Sequence, residues 1–176
     1  MNELLAYWLV PAEPYRGWFS EQIGKLAAHL GSATFLPHVT IYAGPGAGVD
    51  SPAAIIEEAA RGVTAITLLT VRIDHSDKFT KTLFVEFAPE PELAAVSDRL
   101  RQLSATPADY ELRPHLSLAY QHIGTEEREQ LARSSSLPFE TVLFDELHAV
   151  ICPTGTDSAA DVRAWRTVAR HRLAPE

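Results

Sequence analysis

A short segment occurs twice in this chain, and its repetition limits the possible folds more than any other pattern. One copy reads Pro37-His38-Val39-Thr40-Ile41; the other reads Pro114-His115-Leu116-Ser117-Leu118, with the two histidines 77 positions apart. Each has the look of a strand, whose side chains alternate between faces. His38 and Thr40 then share one face, with Val39 and Ile41 on the other; His115 and Ser117 pair in the same way, opposite Leu116 and Leu118. An apolar face calls for a core beneath it. The opposite face presents an imidazole beside a hydroxyl. Two such strands predict two related lobes, each offering one His strand to a shared groove.

The rest of the chain supplies elements for that arrangement. Strands are expected over residues 4–10, 34–43, 64–73, 79–87, 112–120, 138–151 and 162–173, from their branched and aromatic content. Helical spacing runs over residues 16–30, closed by Gly31, and over residues 91–103. Ser51-Pro52 reads as the N-cap and first position of a helix to about residue 61, and Thr125 as the N-cap of another with acids in its first turn. The Gly44–Gly48 stretch is expected to be a loop, and it lacks the Lys-Ser/Thr ending of a phosphate-binding P-loop. Helices and strands do not alternate regularly, so the fold class is α+β, read as one bilobal domain over residues 1–176.

Composition narrows the function. A hydrophobic content of 46% suffices for a core, yet no apolar run is long enough to span a bilayer. The first residues have no basic region before an apolar one and read as a strand, not a signal peptide. The single cysteine, Cys152, rules out an intrachain disulfide and a Cys-based zinc site, and fits a reducing cytoplasm. A formal net charge of −8 argues against wrapping a long nucleic acid, which needs an extended basic face. A small anion needs only local donors, and these can oppose the overall field.

Two histidines facing each other suit in-line displacement at phosphorus. The entering and leaving oxygens lie on opposite sides, one served by a base and the other by an acid, and imidazole can be either near neutrality. Thr40 and Ser117 would donate to the non-bridging phosphate oxygens. No acidic residue lies inside either motif to hold a divalent ion.

With these residues set out, the chain resembles the two-histidine (2H) phosphoesterase superfamily through His38-Val39-Thr40-Ile41 and His115-Leu116-Ser117-Leu118. Within it, the chain is similar to the plant-type and yeast-type cyclic phosphodiesterases. The likeness extends to Tyr7-Trp8-Leu9-Val10-Pro11, to residues 35–40, 114–120 and 147–154, and to Trp165-Arg166-Thr167-Val168, so that it covers essentially the whole length. The resemblance implies a bilobal fold with an antiparallel sheet in each lobe, outer helices and a central cleft. It implies metal-independent, cofactor-free opening of small cyclic phosphates: ADP-ribose 1″,2″-cyclic phosphate to the 1″-phosphate, and nucleoside 2′,3′-cyclic phosphates to 2′-phosphates. It carries His38 and His115 over as the acid–base pair and Thr40 and Ser117 as phosphate anchors, with Trp8, Tyr120 and Phe79 as contacts to the substrate. A small cyclic-phosphate nucleotide is the expected partner of a monomeric protein, with neither a membrane nor a long nucleic acid.

Strict alternation conflicts with one of these positions. It puts Tyr120 on the apolar face unless a bulge or the strand's end turns it inward, and it makes Tyr42 a rival. Arg113 shares the face of His115 and suits either a second phosphate or a surface ion pair. Structural or surface roles are expected for His29, His75, His122, His148 and His171, and Cys152 reads as a small buried apolar residue. Two other functions fit the same residues: a 2H enzyme acting on RNA ends, and a module that binds a phosphorylated ligand without turning it over.

Overall fold

The computed structural model describes residues 3–46, 48 and 51–176. In chain order the elements are β1 (Glu3–Pro11), α1 (Tyr15–Leu30), β2 (Val39–Pro45), α2 (Pro52–Ala59), β3 (Ile66–His75), β4 (Leu83–Phe87), α3 (Pro91–Leu103), β5 (His115–Ala119), α4 (Thr125–Ser134), β6 (Thr141–Pro153), α5 (Ala159–Arg163) and β7 (Arg166–Arg172). The expected α+β class is what the chain adopts.

All strand pairings are antiparallel, in the order β1-β2-β5-β4-β3-β6-β7, and β6 pairs with β1 as well. The two expected sheets are therefore joined into one. One half is β2-β1-β6-β7 and the other is β5-β4-β3. They meet at two places. Between the motif strands the link is the single pair Val39–Leu116. At the far side the link is β6, whose 13 residues serve both halves: Thr141–Phe144 pair with β3, and the stretch beyond pairs with β1 and β7. A strand this long can leave one partner and take up another, and that merges two lobes into a continuous sheet.

The core lies under the apolar faces predicted for the motif strands. Val39, Ile41 and Leu116 are fully buried with Leu9, Phe19, Phe144 and Leu147. The helix α1 buries Phe19, Ile23 and Ala27, one residue per turn on one stripe. Gly31 ends it in the left-handed region at φ 65°, returning its N–H to Ala27 O. Ser51 caps α2 through the Ala54 N–H, with Pro52 in the first turn, as its sequence predicts. Among the described residues no helix is long and apolar enough to cross a membrane.

Several boundaries differ from the sequence reading. The strands expected from residues 34, 112 and 138 begin at Val39, His115 and Thr141, and Pro37, Pro114 and Pro138, just before them, offer no N–H to a ladder. Phe79–Lys81 form a 3₁₀ turn, not the start of β4. The buried Thr82 hydroxyl lies 2.9 Å from Phe79 O and 2.8 Å from Gln121 O, so a side-chain bond competes there with the ladder. The cap of α4 is Gly124, and Thr125 is already helical, its hydroxyl accepting from Arg128 Nη2 at 3.1 Å. The last strand is preceded by α5, because Ser158 Oγ accepts the Asp161 N–H and caps a helix that runs to Arg163, into the first two residues of the stretch read as β. Gly44 and Pro45 belong to β2, and Ala47 of the expected loop lies outside the described residues.

Candidate active site

The proline in each motif has a local task. It forces the preceding residue into an extended conformation, which presents that residue's carbonyl to the ring two positions on. His38 Nδ1 lies 2.7 Å from Leu36 O, and His115 Nδ1 lies 2.8 Å from Arg113 O. A carbonyl only accepts, so both rings carry their proton on Nδ1 and leave Nε2 with a free lone pair. The same tautomer thus arises twice, by the same backbone device.

The two rings sit in unequal surroundings. His38 is buried, at 6% exposure, and stacks on Trp8 with centroids 3.7 Å apart and planes 12° apart. Burial pushes its pKa down to about 3, against the Leu36 hydrogen bond and helped by His115 and His148. His115 is half-buried, with its ring edge-on to Phe84 at 5.5 Å. Its pKa is lowered too, by burial first, with the Arg113 carbonyl opposing and Lys81 adding to the fall.

Both rings line one cavity of about 390 Å³, together with Thr40, Ser117, Trp8 and Tyr120. Thr40 Oγ1 has no hydrogen-bond partner among the described residues. Ser117 Oγ donates to Thr80 O at 2.9 Å, and the Tyr120 hydroxyl lies on the same cavity wall. Burial raises the pKa of Tyr120, so its phenol stays protonated at neutral pH and remains a donor.

A pair of bulges explains which tyrosine reaches the cavity. On β2, Tyr42 and Thr40 oppose adjacent residues Tyr7 and Trp8, so Ile41 is the extra residue. On β5, Ala119 and Ser117 oppose adjacent residues Leu83 and Phe84, so Leu118 is extra. Each bulge falls directly after the motif hydroxyl and reverses the alternation beyond it. Tyr120 is therefore turned inward. Tyr42 is turned into the core at 1% exposure, where its hydroxyl accepts the Ala108 N–H at 3.0 Å. The rival position proposed from alternation is a core residue. The β2 bulge is braced from α3 and the following loop: Ser97 Oγ donates to Ile41 O at 2.6 Å, and Tyr110 Oη to Thr40 O at 2.9 Å.

Phe79 is not part of the cavity wall. It lies behind Tyr120, with centroids 6.2 Å apart. Residues that sequence reasoning did not place at the site include Thr80, Thr156, Cys152 and Trp165. Trp165 packs edge-on to Trp8 at 5.2 Å and to Tyr120 at 5.5 Å, with its indole N–H donated to Thr156 Oγ1. Its side chain was legible as part of the family likeness but carried no signal of position. Burial raises the Cys152 thiol to about 12, so it stays neutral.

None of His29, His75, His122, His148 and His171 lines the cavity. His148 is nonetheless no surface residue. It is 3% exposed and stands opposite Trp8 across β1–β6. Its Nε2 donates to Glu146 at 2.8 Å, and Glu146 takes Arg16 at 3.2 Å. Arg113 pairs with Glu111 at 3.0 Å, the surface ion pair rather than a cavity contact.

Comparison with known proteins bears on the family and the fold. The profile of the 2′-5′ RNA ligase superfamily matches residues 13–151. A cyclic phosphodiesterase of Arabidopsis thaliana is 24% identical over 178 residues, covering 99% of this chain and 97% of that protein. Among solved structures, E. coli LigT complexed with 3′-AMP superposes with a TM-score of 0.60 at 13% identity, covering 99% of both chains. The apo form of E. coli LigT gives 0.57 at 15% identity with the same coverage. At such identities the superpositions establish a shared fold.

Proposed function

We propose that this chain, which belongs to the 2′-5′ RNA ligase superfamily, is a phosphodiesterase that opens small cyclic phosphates: nucleoside 2′,3′-cyclic phosphates and ADP-ribose 1″,2″-cyclic phosphate. The observation that carries this reading is the matched pair of imidazoles. Both are held as Nδ1–H tautomers by a carbonyl two residues back, and both line one cavity with a hydroxyl beside each. The name of the Arabidopsis relative, cyclic phosphodiesterase, supports the same reading.

The cyclic phosphate sits between the lobes with its anionic oxygens toward Thr40 and Ser117. Thr40 donates directly. Ser117 turns its proton from Thr80 O to the phosphate, and the Tyr120 hydroxyl, in the lining of the same cavity, is a third donor. The anion favours the protonated form of a nearby imidazole. His115, the more exposed ring, takes up a proton on Nε2 and serves as the acid. His38, buried against Trp8, stays neutral and serves as the base. Water attacks phosphorus and gives a proton to His38 Nε2. The ester oxygen leaves and takes a proton from His115 Nε2. One P–O bond forms, one breaks, and the phosphorus ends as a monoester. Two imidazoles and the hydroxyls supply every proton and donor this sequence of steps needs, so we propose that it runs without a metal ion.

Thr40→Ala and Ser117→Ala should each slow turnover by about 10- to 1000-fold, the range for losing one donor to a developing oxyanion. Thr40→Ala should act on kcat with little change in folding, since its hydroxyl holds nothing else together. A loss confined to KM would contradict the assigned role. The substrate class is tested by chromatographic assay of adenosine 2′,3′-cyclic phosphate, ADP-ribose 1″,2″-cyclic phosphate and a short 2′-5′-linked oligonucleotide. Higher kcat/KM for the two cyclic phosphates is expected. Higher kcat/KM for the oligonucleotide would replace this reading by one on RNA ends.

A further inference from the structure

His148 is buried on the cleft face of the sheet, and the reaction above does not use it. It follows the point where β6 passes from one lobe to the other. Phe144 pairs with Ile66 of β3 and with Pro11 of β1, and Glu146 pairs with Val10 and Arg172, so Asp145 is an extra residue at the switch. Directly opposed residues share a face, so the row across the cleft floor is Thr40, Trp8, His148 and Arg170. His38 lies flat on the second member of that row. Charged groups reach His148 from three elements. Glu146, two residues back on β6, accepts its Nε2–H at 2.8 Å. Arg16 of α1 holds the other oxygen of that carboxylate at 3.2 Å and donates through Nε to Pro11 O at 2.8 Å. Arg170 faces it from β7, and Arg172 of the same strand is taken by Asp145 at 3.2 Å. The Nδ1 of His148 is buried and has no partner among the described residues.

The imidazoles of His38 and His148 compete for a proton on unequal terms. His38 has Trp8 against its face and Phe35 and Trp165 edge-on, and among the described residues no carboxylate pairs with it. His148 has a carboxylate in contact, and an opposite charge so close favours the cation. A proton entering at Nδ1 leaves an unpaired buried N–H, which costs part of that gain. Burial accordingly lowers the pKa of His148, Glu146 opposes through its hydrogen bond and its charge, and Arg170 and Arg16 add to the fall. Burial pushes His38 down to about 3, with only the Leu36 carbonyl in opposition, and a charge on His148 lowers it further. We propose that His148 is a positioning residue for the proton: on acidification it becomes the imidazolium first, backed by Glu146, and its charge keeps Nε2 of His38 bare and available as the base. A solvent proton binds at Nδ1 while the Nε2–H stays on Glu146, so no proton is drawn from the catalytic pair. The role of His38 as base rests on the cyclic-phosphate reading above; the order in which the two rings take up protons does not depend on it.

Profiles of kcat/KM against pH for adenosine 2′,3′-cyclic phosphate are the test, since their acid limb reports the base of the free enzyme. In His148→Gln, which can still donate to Glu146 but does not titrate, the limb should move up by about one pH unit, the size of an interaction between two charges in neighbouring buried sites. His148→Leu strands Glu146 and alters the packing but removes the same charge, so it should move the limb by a similar amount whatever it does to stability. NMR of the imidazole ring carbons gives the order of protonation without turnover. His148 should titrate above His38 in the native protein, and His38 should titrate higher in His148→Gln than in the native protein. A limb that His148→Gln leaves in place, a shift confined to His148→Leu, or a His38 ring that titrates before His148 overturns the proposal. No turnover by the native protein, with the expected order of protonation, overturns the cyclic-phosphate reading and leaves the proton order standing.

Discussion

His115→Ala is expected to lower kcat for a nucleoside 2′,3′-cyclic phosphate by about 10³- to 10⁴-fold, and His38→Ala by a similar factor. General acid or base catalysis by one positioned side chain is typically worth about 10²- to 10⁴-fold, and each ring also fixes the geometry of attack or departure. His115 is the cleaner test. It is half-buried, so alanine there leaves a space that water can fill. His38 is buried against Trp8, and its loss opens a gap beside the indole as well as removing the base. The double variant should be little worse than either single one, because an acid and a base acting on one displacement do not contribute independently. Kinetics on variants whose near-ultraviolet circular dichroism matches the wild type provide the check. A single variant retaining activity within about tenfold of wild type would contradict the paired mechanism.

Acidification should destabilise the fold by a margin large enough to measure easily. His38 is held neutral in the folded protein down to about pH 3, whereas in the unfolded chain it has the ordinary value of 6.5. Above pH 6.5 neither state binds the proton, and His38 contributes no pH dependence. Between these values the unfolded chain binds a proton that the folded one refuses. Stability therefore falls as pH falls, by about 1.4 kcal/mol per pH unit from this one site. His115 and His148 are shifted in the same direction and steepen the loss. Urea unfolding midpoints at pH 7, 6 and 5 measure the slope. In His38→Gln, which cannot titrate, the slope should be visibly shallower. An identical slope in that variant would mean that His38 is not held neutral by the fold.

How much of this was legible in the chain itself depends on where local rules stop applying. The motif strands could be read because their alternation is regular up to the hydroxyl. Val39 and Leu116 go into the core and His38 and His115 face the cleft, as a period of two requires. One residue later the rule fails, because Ile41 and Leu118 are bulges. A bulge is an extra residue whose presence depends on the partner strand and on braces such as Ser97 and Tyr110, which lie 56 and 70 residues away from their acceptors. Nothing local in the sequence marks it, so Tyr42 and Tyr120 exchanged places relative to simple alternation. Trp165 is a similar case. It reaches the cavity because β7 lies beside β6, a pairing set by the whole sheet. His148 looked like an ordinary strand histidine, and its burial follows from standing between β1 and β7. The ends of α1, α2 and α3 were readable because Gly31, Ser51-Pro52 and Pro91 act within one turn. The lobes could be inferred from the repeat, but their fusion through β6 could not, since it takes one strand longer than either lobe needs.

We propose that this protein opens a cyclic phosphate with two imidazoles and without a metal ion. Phosphorus NMR of EDTA-treated protein with adenosine 2′,3′-cyclic phosphate, beside a His115→Ala control, tests it most directly. With the native protein the cyclic-diester resonance should be replaced by a single monoester resonance, at a rate unchanged by EDTA, and with the variant it should persist. A cyclic resonance that persists with the native protein, or that disappears only when a divalent ion is restored, would contradict it.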